Sequence, residues 1–278
     1  MSHLNYYNLD GKMFLESENN ISVNNRSFRY GDGFFETMKL VDGVIQLKEL
    51  HFERITNSFK TLGFIVGKHF SCENLEKEII ELAKKNQHHH LGRIRITFYR
   101  EDAGLYEVKN FHPHILIQSF QLSDTVNELN ENGLVIDVYP TAKKSCDVFS
   151  NIKSNNYLQY AMAALWAKEN KLNDALLLNT SNCIADSTIA NVFIIKNGEI
   201  KTPALGEGCV NGVMRKNIIE TLKQKNIAVI ETSINAEDIA DADEVFLTNA
   251  IKGIVWVRQF GNNQYANFET RKIYNLLK

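Results

Sequence analysis

Lys153 stands in the run Lys153-Ser154-Asn155-Asn156-Tyr157, just ahead of an expected helix over 155–170. The positive end of a helix disfavours an ammonium and pushes such an amine toward its neutral form, the form that attacks a carbonyl to make a Schiff base. A second segment, Gly206-Glu207-Gly208-Cys209-Val210-Asn211-Gly212-Val213-Met214-Arg215, is glycine-rich and runs into an amphipathic helix ending near Lys225. The free N–H groups of such a helix start, together with its dipole, favour an anion, and a phosphate there takes the amides of Val213 and Met214. Asp186 precedes the strand pattern Asn191-Val192-Phe193-Ile194 and is placed to offer a carboxylate to a crevice, where an anion keeps a ring nitrogen protonated. Arg54, in His51-Phe52-Glu53-Arg54, carries a guanidinium suited to phosphate. Taken singly, each has an ordinary reading: a solvated lysine, a loop entering a helix, a turn aspartate or cap, an exposed helical arginine.

Other chemistries find little support. Cys72, Cys146, Cys183 and Cys209 are far apart with no C-x-x-C pair, and read as reduced thiols of a cytoplasmic protein. The run His88-His89-His90, and His112 with His114, have no Cys, Asp or Glu partner at ligand spacing, so no metal site is expected. Gly31-Asp32-Gly33 lacks the G-x-G-x-x-G pattern of a dinucleotide site.

The elements that must position these residues follow from periodicity. Periods of two and of 3.6 both occur, so the class is mixed α and β. Strands are expected at 13–16, 34–40 and 44–47, the last two joined by an Asp42-Gly43 turn, then at 93–99 and 114–120. Residues 93–99 alternate, with Ile94, Ile96 and Phe98 on one face and Arg93, Arg95, Thr97 and Tyr99 on the other. Helices are expected at 47–62 and after Ser71, a candidate N-cap. The polar stretch 121–132 reads as a linker between a smaller N-terminal domain, 1–120, and a larger C-terminal one, 133–278, that carries Lys153. Beyond the linker, strands are expected at 133–139, 175–179, 191–196, 228–234, 245–248 and 254–260, with a C-terminal helix from Phe268. The 278 residues carry a formal net charge of −2, with no basic field to bind nucleic acid. No apolar run is long enough to span a bilayer, and the N-terminus does not read as a secretory signal.

In order along the chain, the pieces resemble the class IV aminotransferases, the fold-type IV enzymes of pyridoxal phosphate (PLP). The resemblance runs through Tyr30-Gly31-Asp32-Gly33-Phe34-Phe35-Glu36-Thr37, His51-Phe52-Glu53-Arg54-Ile55, Lys153-Ser154-Asn155-Asn156-Tyr157-Leu158 and Asp174-Ala175-Leu176-Leu177-Leu178-Asn179. It continues through Ala190-Asn191-Val192-Phe193, Lys201-Thr202-Pro203, Asn211-Gly212-Val213-Met214-Arg215 and Ala242-Asp243-Glu244-Val245-Phe246. It implies a two-domain fold like that of D-amino-acid aminotransferases, a site built between the domains, and a homodimer. It implies that Lys153 forms the Schiff base with PLP and later moves the proton. By the same resemblance Arg54, Val213, Met214, Asn249 and Ala250 hold the phosphate, and Tyr157 packs near the ring's phenolic oxygen. Tyr30, Phe35, Glu36, Arg95 and Tyr99 border the substrate. The partner of the ring nitrogen in this family is usually a glutamate; the matching residue here is Asp186, one methylene shorter.

The family's reactions share the loss of a proton from the carbon bearing the substrate amine. An aminotransferase then passes the amino group to a 2-oxo acid; an aminodeoxychorismate lyase instead releases pyruvate and 4-aminobenzoate. Asn211–Arg215 and Thr248-Asn249-Ala250 resemble the lyases, whereas the loop Arg100-Glu101-Asp102-Ala103-Gly104-Leu105-Tyr106 lacks an arginine that some lyases carry, and Glu36 stands where some have threonine. The expectation is an amino-acid aminotransferase, with the lyase as alternative and a non-catalytic PLP-binding relative as the third reading.

Overall fold

The computed structural model describes residues 5–67, 70–107 and 110–278. Residues 1–4, on which the reading of the N-terminus rests, lie outside the described residues. The chain divides into two compact units, Met1–Thr125 with Ile152–Asn156, and Val126–Asn151 with Tyr157–Lys278. Both mix helices with sheet, as the two periodicities predict.

The first unit holds β1 (Tyr6–Leu9), β2 (Lys12–Leu15), α1 (Arg26–Tyr30), β3 (Gly33–Val41), β4 (Val44–Ile45), α2 (Lys48–Leu62), α3 (Cys72–Lys85), β5 (Leu91–Tyr99) and β6 (His114–Gln121). Its sheet runs β2-β1-β6-β5-β3-β4. Asp42 and Gly43 both take left-handed φ, 48° and 77°, which matches the twist of the β3–β4 hairpin. Ile94, Ile96 and Phe98 of β5 are fully buried and meet Ile55 and Phe59 of α2 and Leu75, Ile79 and Leu82 of α3. Phe34, Phe59 and Phe98 stack or pack edge-on within 5.2 Å of one another. Ser71 caps α3, its side chain accepting from the Asn74 amide at 3.1 Å. Tyr99, read with the polar face of β5, is instead buried beside His114.

Lys153 belongs to this first unit and not to the C-terminal one, and the reason is strand pairing. The Phe35 amide donates to the Lys153 carbonyl at 2.9 Å, and the Asn155 amide donates to that of Gly33 at 3.0 Å. Phe34 and Ser154 thereby form an antiparallel bridge that adds the lysine segment to β3.

The second unit holds β7 (Leu134–Val138), α4 (Leu158–Glu169), β8 (Asp174–Leu178), β9 (Ile184–Ser187), β10 (Asn191–Lys196), β11 (Glu199–Pro203), α5 (Val213–Gln224), β12 (Val229–Thr232), α6 (Ala236–Ala240), β13 (Glu244–Asn249), β14 (Gly253–Phe260), β15 (Asn263–Gln264) and α7 (Phe268–Leu276). Its sheet runs β12-β11-β10-β13-β14-β7-β8-β9, with β15 on β14. Its central strands are apolar on both faces, as strands covered on two sides must be. Phe193 and Ile195 pack with Ile218 and Leu222 of α5 and Ile273 of α7, while Val192 and Ile194 pack on the opposite side with Ile239 of α6. Ala163 and Ala167 of α4 lie against Ala175 and Leu177 of β8.

Gly33 is one of the places where the lysine segment is seated tightly. Its φ is +150°, and a Cβ added there would stand 2.2 Å from the Phe98 carbonyl oxygen and 2.6 Å from Asn155 Nδ2. Gly33→Ala is expected to push the segment off β3 and to lower unfolding stability by roughly 2 kcal/mol or more in urea titrations. A variant as stable as the wild type would show that the seat yields freely.

Candidate functional site

The second unit gathers one set of the expected residues around Asp186. Asp186 lies within β9, not in the turn after a strand, and it is 2 % exposed. Its Oδ2 accepts from Lys144 Nζ at 3.0 Å, from the Tyr160 hydroxyl at 2.9 Å and from the Val210 amide at 3.0 Å. Lys144 also bonds the Tyr160 hydroxyl. The other oxygen, Oδ1, is buried with no hydrogen-bond partner. Leaving a buried acceptor unpaired is costly, so this lobe of the carboxylate suits an incoming donor. Burial raises the Tyr160 hydroxyl well above its ordinary pKa, and the adjacent Asp186 charge raises it further, so it donates rather than ionises.

The Val210 bond ties Asp186 to the glycine-rich loop. Asn191 Nδ2 donates to the Val210 carbonyl at 2.8 Å. The loop passes so close that a Cβ on Gly212 would stand 1.8 Å from Asn191 Oδ1. Gly212 is the N-cap of α5 and gives no side-chain cap, so the first-turn amides, those of Val213 and Met214 included, have no side chain from their own cap to bond. Arg215 does not add to this anion site: its guanidinium is buried and donates to the Pro203 carbonyl at 2.9 Å and to Glu231 at 2.6 Å. Asn249 Oδ1 accepts from the Ile251 and Lys252 amides, which closes the turn after β13. Ala250 lies in that turn. Tyr157 stacks on Tyr160 with ring centroids 4.3 Å apart and donates its hydroxyl to the Thr188 carbonyl at 3.0 Å.

The first unit gathers the other set. Lys153 Nζ stands 4.5 Å from the centroid of the Phe35 ring, and the Arg95 guanidinium carbon stands 3.7 Å from the same centroid. The amine and the guanidinium therefore share one aromatic neighbour. The amine does not stand at a helix start as its sequence position predicts, because α4 begins at Leu158 rather than at residue 155. Tyr30 ends α1 with Arg26 and Arg29 over its ring. Burial pushes the Tyr99 hydroxyl up to about 12, with Asp10 and Asp102 adding to the shift, so Tyr99 stays protonated.

Glu36, expected at the substrate's border, is 1 % exposed and faces the core side of β3. Arg54 grips its carboxylate through Nε at 2.9 Å and through Nη2, and His51 Nδ1 lies 3.1 Å from Oε1. Glu36 is thus a partner of Arg54 and not a substrate contact. Arg54, read from the sequence as an exposed helical arginine if not a ligand, is 11 % exposed.

Three residues that matter here went unread in the sequence. Lys144 and Tyr160 carried no motif, and Asp32, quoted in the glycine turn but given no role there, is clamped by Arg26 and Arg100. Among the described residues, no group of three or more His, Cys, Asp or Glu could hold a metal ion, and no helix is long and apolar enough to cross a membrane.

Residues 33–260 match the family described as Amino-transferase class IV. The chain belongs to that family. A Methanocaldococcus jannaschii protein named "Putative branched-chain-amino-acid aminotransferase" is 28% identical over 272 residues, covering 97% of this chain and 93% of its own. The aminodeoxychorismate lyase of Bacillus subtilis is 27% identical, covering 89% of this chain and 84% of its own. The branched-chain aminotransferase of Thermoproteus uzoniensis, solved with norvaline, superposes with a TM-score of 0.88 at 24% identity over 99% of this chain and 93% of its own, which shows the shared fold. The family's members divide between amino transfer and lyase chemistry in the names of these relatives, so membership alone gives an enzyme and not its substrate.

The Glu36 cluster yields a prediction. Burial alone would raise the Glu36 carboxyl, but Arg54 and His51 more than reverse that and hold it well below the ordinary carboxylate range. A depressed folded-state pKa contributes stability that is complete above the unfolded value, about 4.3, and is lost as pH falls from there toward the folded one. Urea unfolding from pH 6 down to pH 3 should therefore show the wild type losing up to about 1.4 kcal/mol per pH unit below about 4.3 through this group. Glu36→Gln should lack that component and be roughly 3 kcal/mol less stable at pH 7, because it strands Arg54. Equal acid slopes in the two proteins would remove the Glu36–Arg54 pair from the account.

Proposed function

We propose that this chain is a PLP-dependent aminotransferase that moves an amino group between an amino acid and a 2-oxo acid. The observation that carries the reading is the lopsided Asp186 carboxylate, with its donors all on Oδ2 and a buried, unpartnered Oδ1. A protonated ring nitrogen is the donor such an acceptor fits, and family membership supplies the ring. When bound, PLP supplies an electron sink conjugated to the carbon that loses its proton.

In this reading Lys153 is the residue that would hold the cofactor, and its Nζ would take and return the substrate's proton. The isolated antiparallel bridge between Ser154 and Phe34 holds the backbone next to that amine against β3. The first-turn amides of α5, Arg54 and the turn at Asn249-Ala250 are the groups that would hold the phosphate. Glu36 orients Arg54 for that contact. Tyr157 and Tyr160 form a stacked wall, with the Tyr157 hydroxyl fixed by Thr188. Tyr30, Phe35, Arg95 and Tyr99 border the substrate, and the Arg95 guanidinium beside the Phe35 ring is a natural receiver of its carboxylate.

A homodimer is part of the proposal. α4 leaves Leu158, Met162 and Leu165 exposed at positions that share one face, with Val148 and Phe149 also exposed in the same unit. An apolar helix face of this kind suits burial against a second copy. The similarity to the B. subtilis lyase keeps release of 4-aminobenzoate as the second reading.

The test begins with purified protein and added PLP. We expect a visible absorbance band that borohydride bleaches, with the reduced adduct on the peptide carrying Lys153. Lys153→Ala should lose the adduct and at least about 10³-fold in turnover. A protein that stays colourless, or an adduct on another lysine, would overturn the reading. A panel of D- and L-amino acids and aminodeoxychorismate, scored for 2-oxo acid against 4-aminobenzoate, then separates transfer from the lyase reaction.

A further inference from the structure

Lys144 is 5 % exposed, and its ammonium is spent inside the fold on two partners, Asp186 Oδ2 at 3.0 Å and the Tyr160 hydroxyl. Its segment is held in place, since the Lys144 amide donates to the Leu178 carbonyl at 2.8 Å and Lys144 bridges Asn179 in parallel. The three donors on Oδ2 come from three places: the loop after β7, helix α4, and the loop before α5. Together they fix which oxygen of Asp186 is spent and which is left over.

We propose that Lys144 is a positioning residue that sets the protonation of the cofactor's ring nitrogen, by drawing on the Asp186 charge from Oδ2 while presenting Oδ1 to the ring. This rests on the reading of Asp186 as the ring nitrogen's partner. A carboxylate facing the ring nitrogen alone gives its whole charge to hold that proton. One already paired with an ammonium attracts a second cation less, because the two cations repel each other through a poorly screened interior. The chain thereby carries a ring nitrogen that gives up its proton more readily than a lone carboxylate would allow. The other titratable and charged groups around this cluster are Tyr157, which stacks on Tyr160, and Cys209 with Arg215 beside it. Burial pushes the Cys209 thiol up to about 11 and holds the Tyr160 hydroxyl well above its ordinary value, so neither ionises between pH 6 and 9. A difference in the ring signal between the wild type and a Lys144 variant over that range then does not come from ionisation of either group.

The experiment uses holoenzyme reconstituted with PLP labelled with ¹⁵N in the ring, titrated from pH 6 to 9 and read by NMR, in which protonation shields the ring nitrogen. Lys144→Met should raise the ring-nitrogen pKa by about one unit, a tenfold gain in proton affinity. Tyr160→Phe, which removes a neutral donor from the same oxygen, should move it in the same direction by less, and this variant decides the matter if Lys144→Met does not fold. Lys144→Arg, which keeps the cation, should retain the wild-type titration. A cofactor-loaded Lys144→Met with an unmoved ring signal would overturn the proposal and show that Lys144 only neutralises a buried charge. Asp186→Asn separates the two levels. A ring signal that moves toward the unprotonated position in that variant keeps Asp186 as the partner. One that does not move overturns the assignment of Asp186 and this inference with it.

Discussion

A carboxylate removed from water must have its charge matched where it stands, and Asp186 at 2 % exposure is the point at which this chain meets that demand. The match is made on one side only. Lys144, Tyr160 and Val210 all address Oδ2, and the lone pairs of Oδ1 have no donor among the described residues. A fold that served stability alone would gain by pairing that oxygen too. A buried polar network left incomplete is costly, and the missing donor on Oδ1 is the observation on which the proposed ligand contact rests. The loop before α5, the start of β10 and the face of α4 all take their places around this carboxylate. The glycine-rich entrance to the helix is held through the Val210 bond and not by packing alone.

The first unit contains the opposite case. Glu36 is buried to the same degree, but the Arg54 guanidinium reaches both of its oxygens and leaves neither without a donor. The two buried carboxylates differ in how their partners are distributed, over both oxygens in Glu36 and over Oδ2 alone in Asp186. The same unit shows how the lysine is made a fixed element. By pairing with β3 on the side of Gly33 and Phe35, residues Ile152–Asn156 join a sheet whose core is closed by α2 and α3. The lysine segment is not a strand of its own, but the bridge and its two backbone hydrogen bonds hold it against β3.

Much of this was legible in the sequence because it depends on local pattern. The strict alternation of residues 93–99 predicts β5, Asp42-Gly43 predicts the β3–β4 hairpin, and Ser71 marks the start of α3 by its own side chain. The glycine-rich run announces α5 for the same kind of reason. What escaped is set by contacts across the chain. β9 has only four residues, too few for a period to declare itself, and its strand character comes from pairing with β8. α1 and α6 have five residues each and are defined largely by the asparagines that cap them. The placement of Lys153 failed because order along the chain does not say which sheet a short segment will join. Lys144 and Tyr160 lie 42 and 26 residues from Asp186, and no spacing links a lysine in an irregular loop to a tyrosine on a helix. The resemblance to a family located Asp186; only the folded chain shows what stands around it.

The shorter arm of an aspartate at this position invites the thought that the backbone moves inward to compensate, and the neighbouring residues argue against it. Asp174, on β8, is buried and accepts from the Ser187 hydroxyl at 2.8 Å, from the Thr188 amide at 3.1 Å and from the Thr188 hydroxyl at 2.6 Å. Those are the two residues that follow Asp186. Burial raises the Asp174 carboxyl and these bonds only partly oppose it, yet they tie the end of β9 to β8 whether the group is ionised or not. With Leu177 and Asp186 also in register across the two strands, β9 has little freedom to advance. The contacts of Asp186 itself are all made by donors that reach its Oδ2. A backbone amide and a long lysine reach in to a carboxylate that cannot reach out, and the ammonium they bring makes the charge at Asp186 a shared one. The one-methylene difference from a glutamate is then better understood together with Lys144 than as a defect of Asp186 alone.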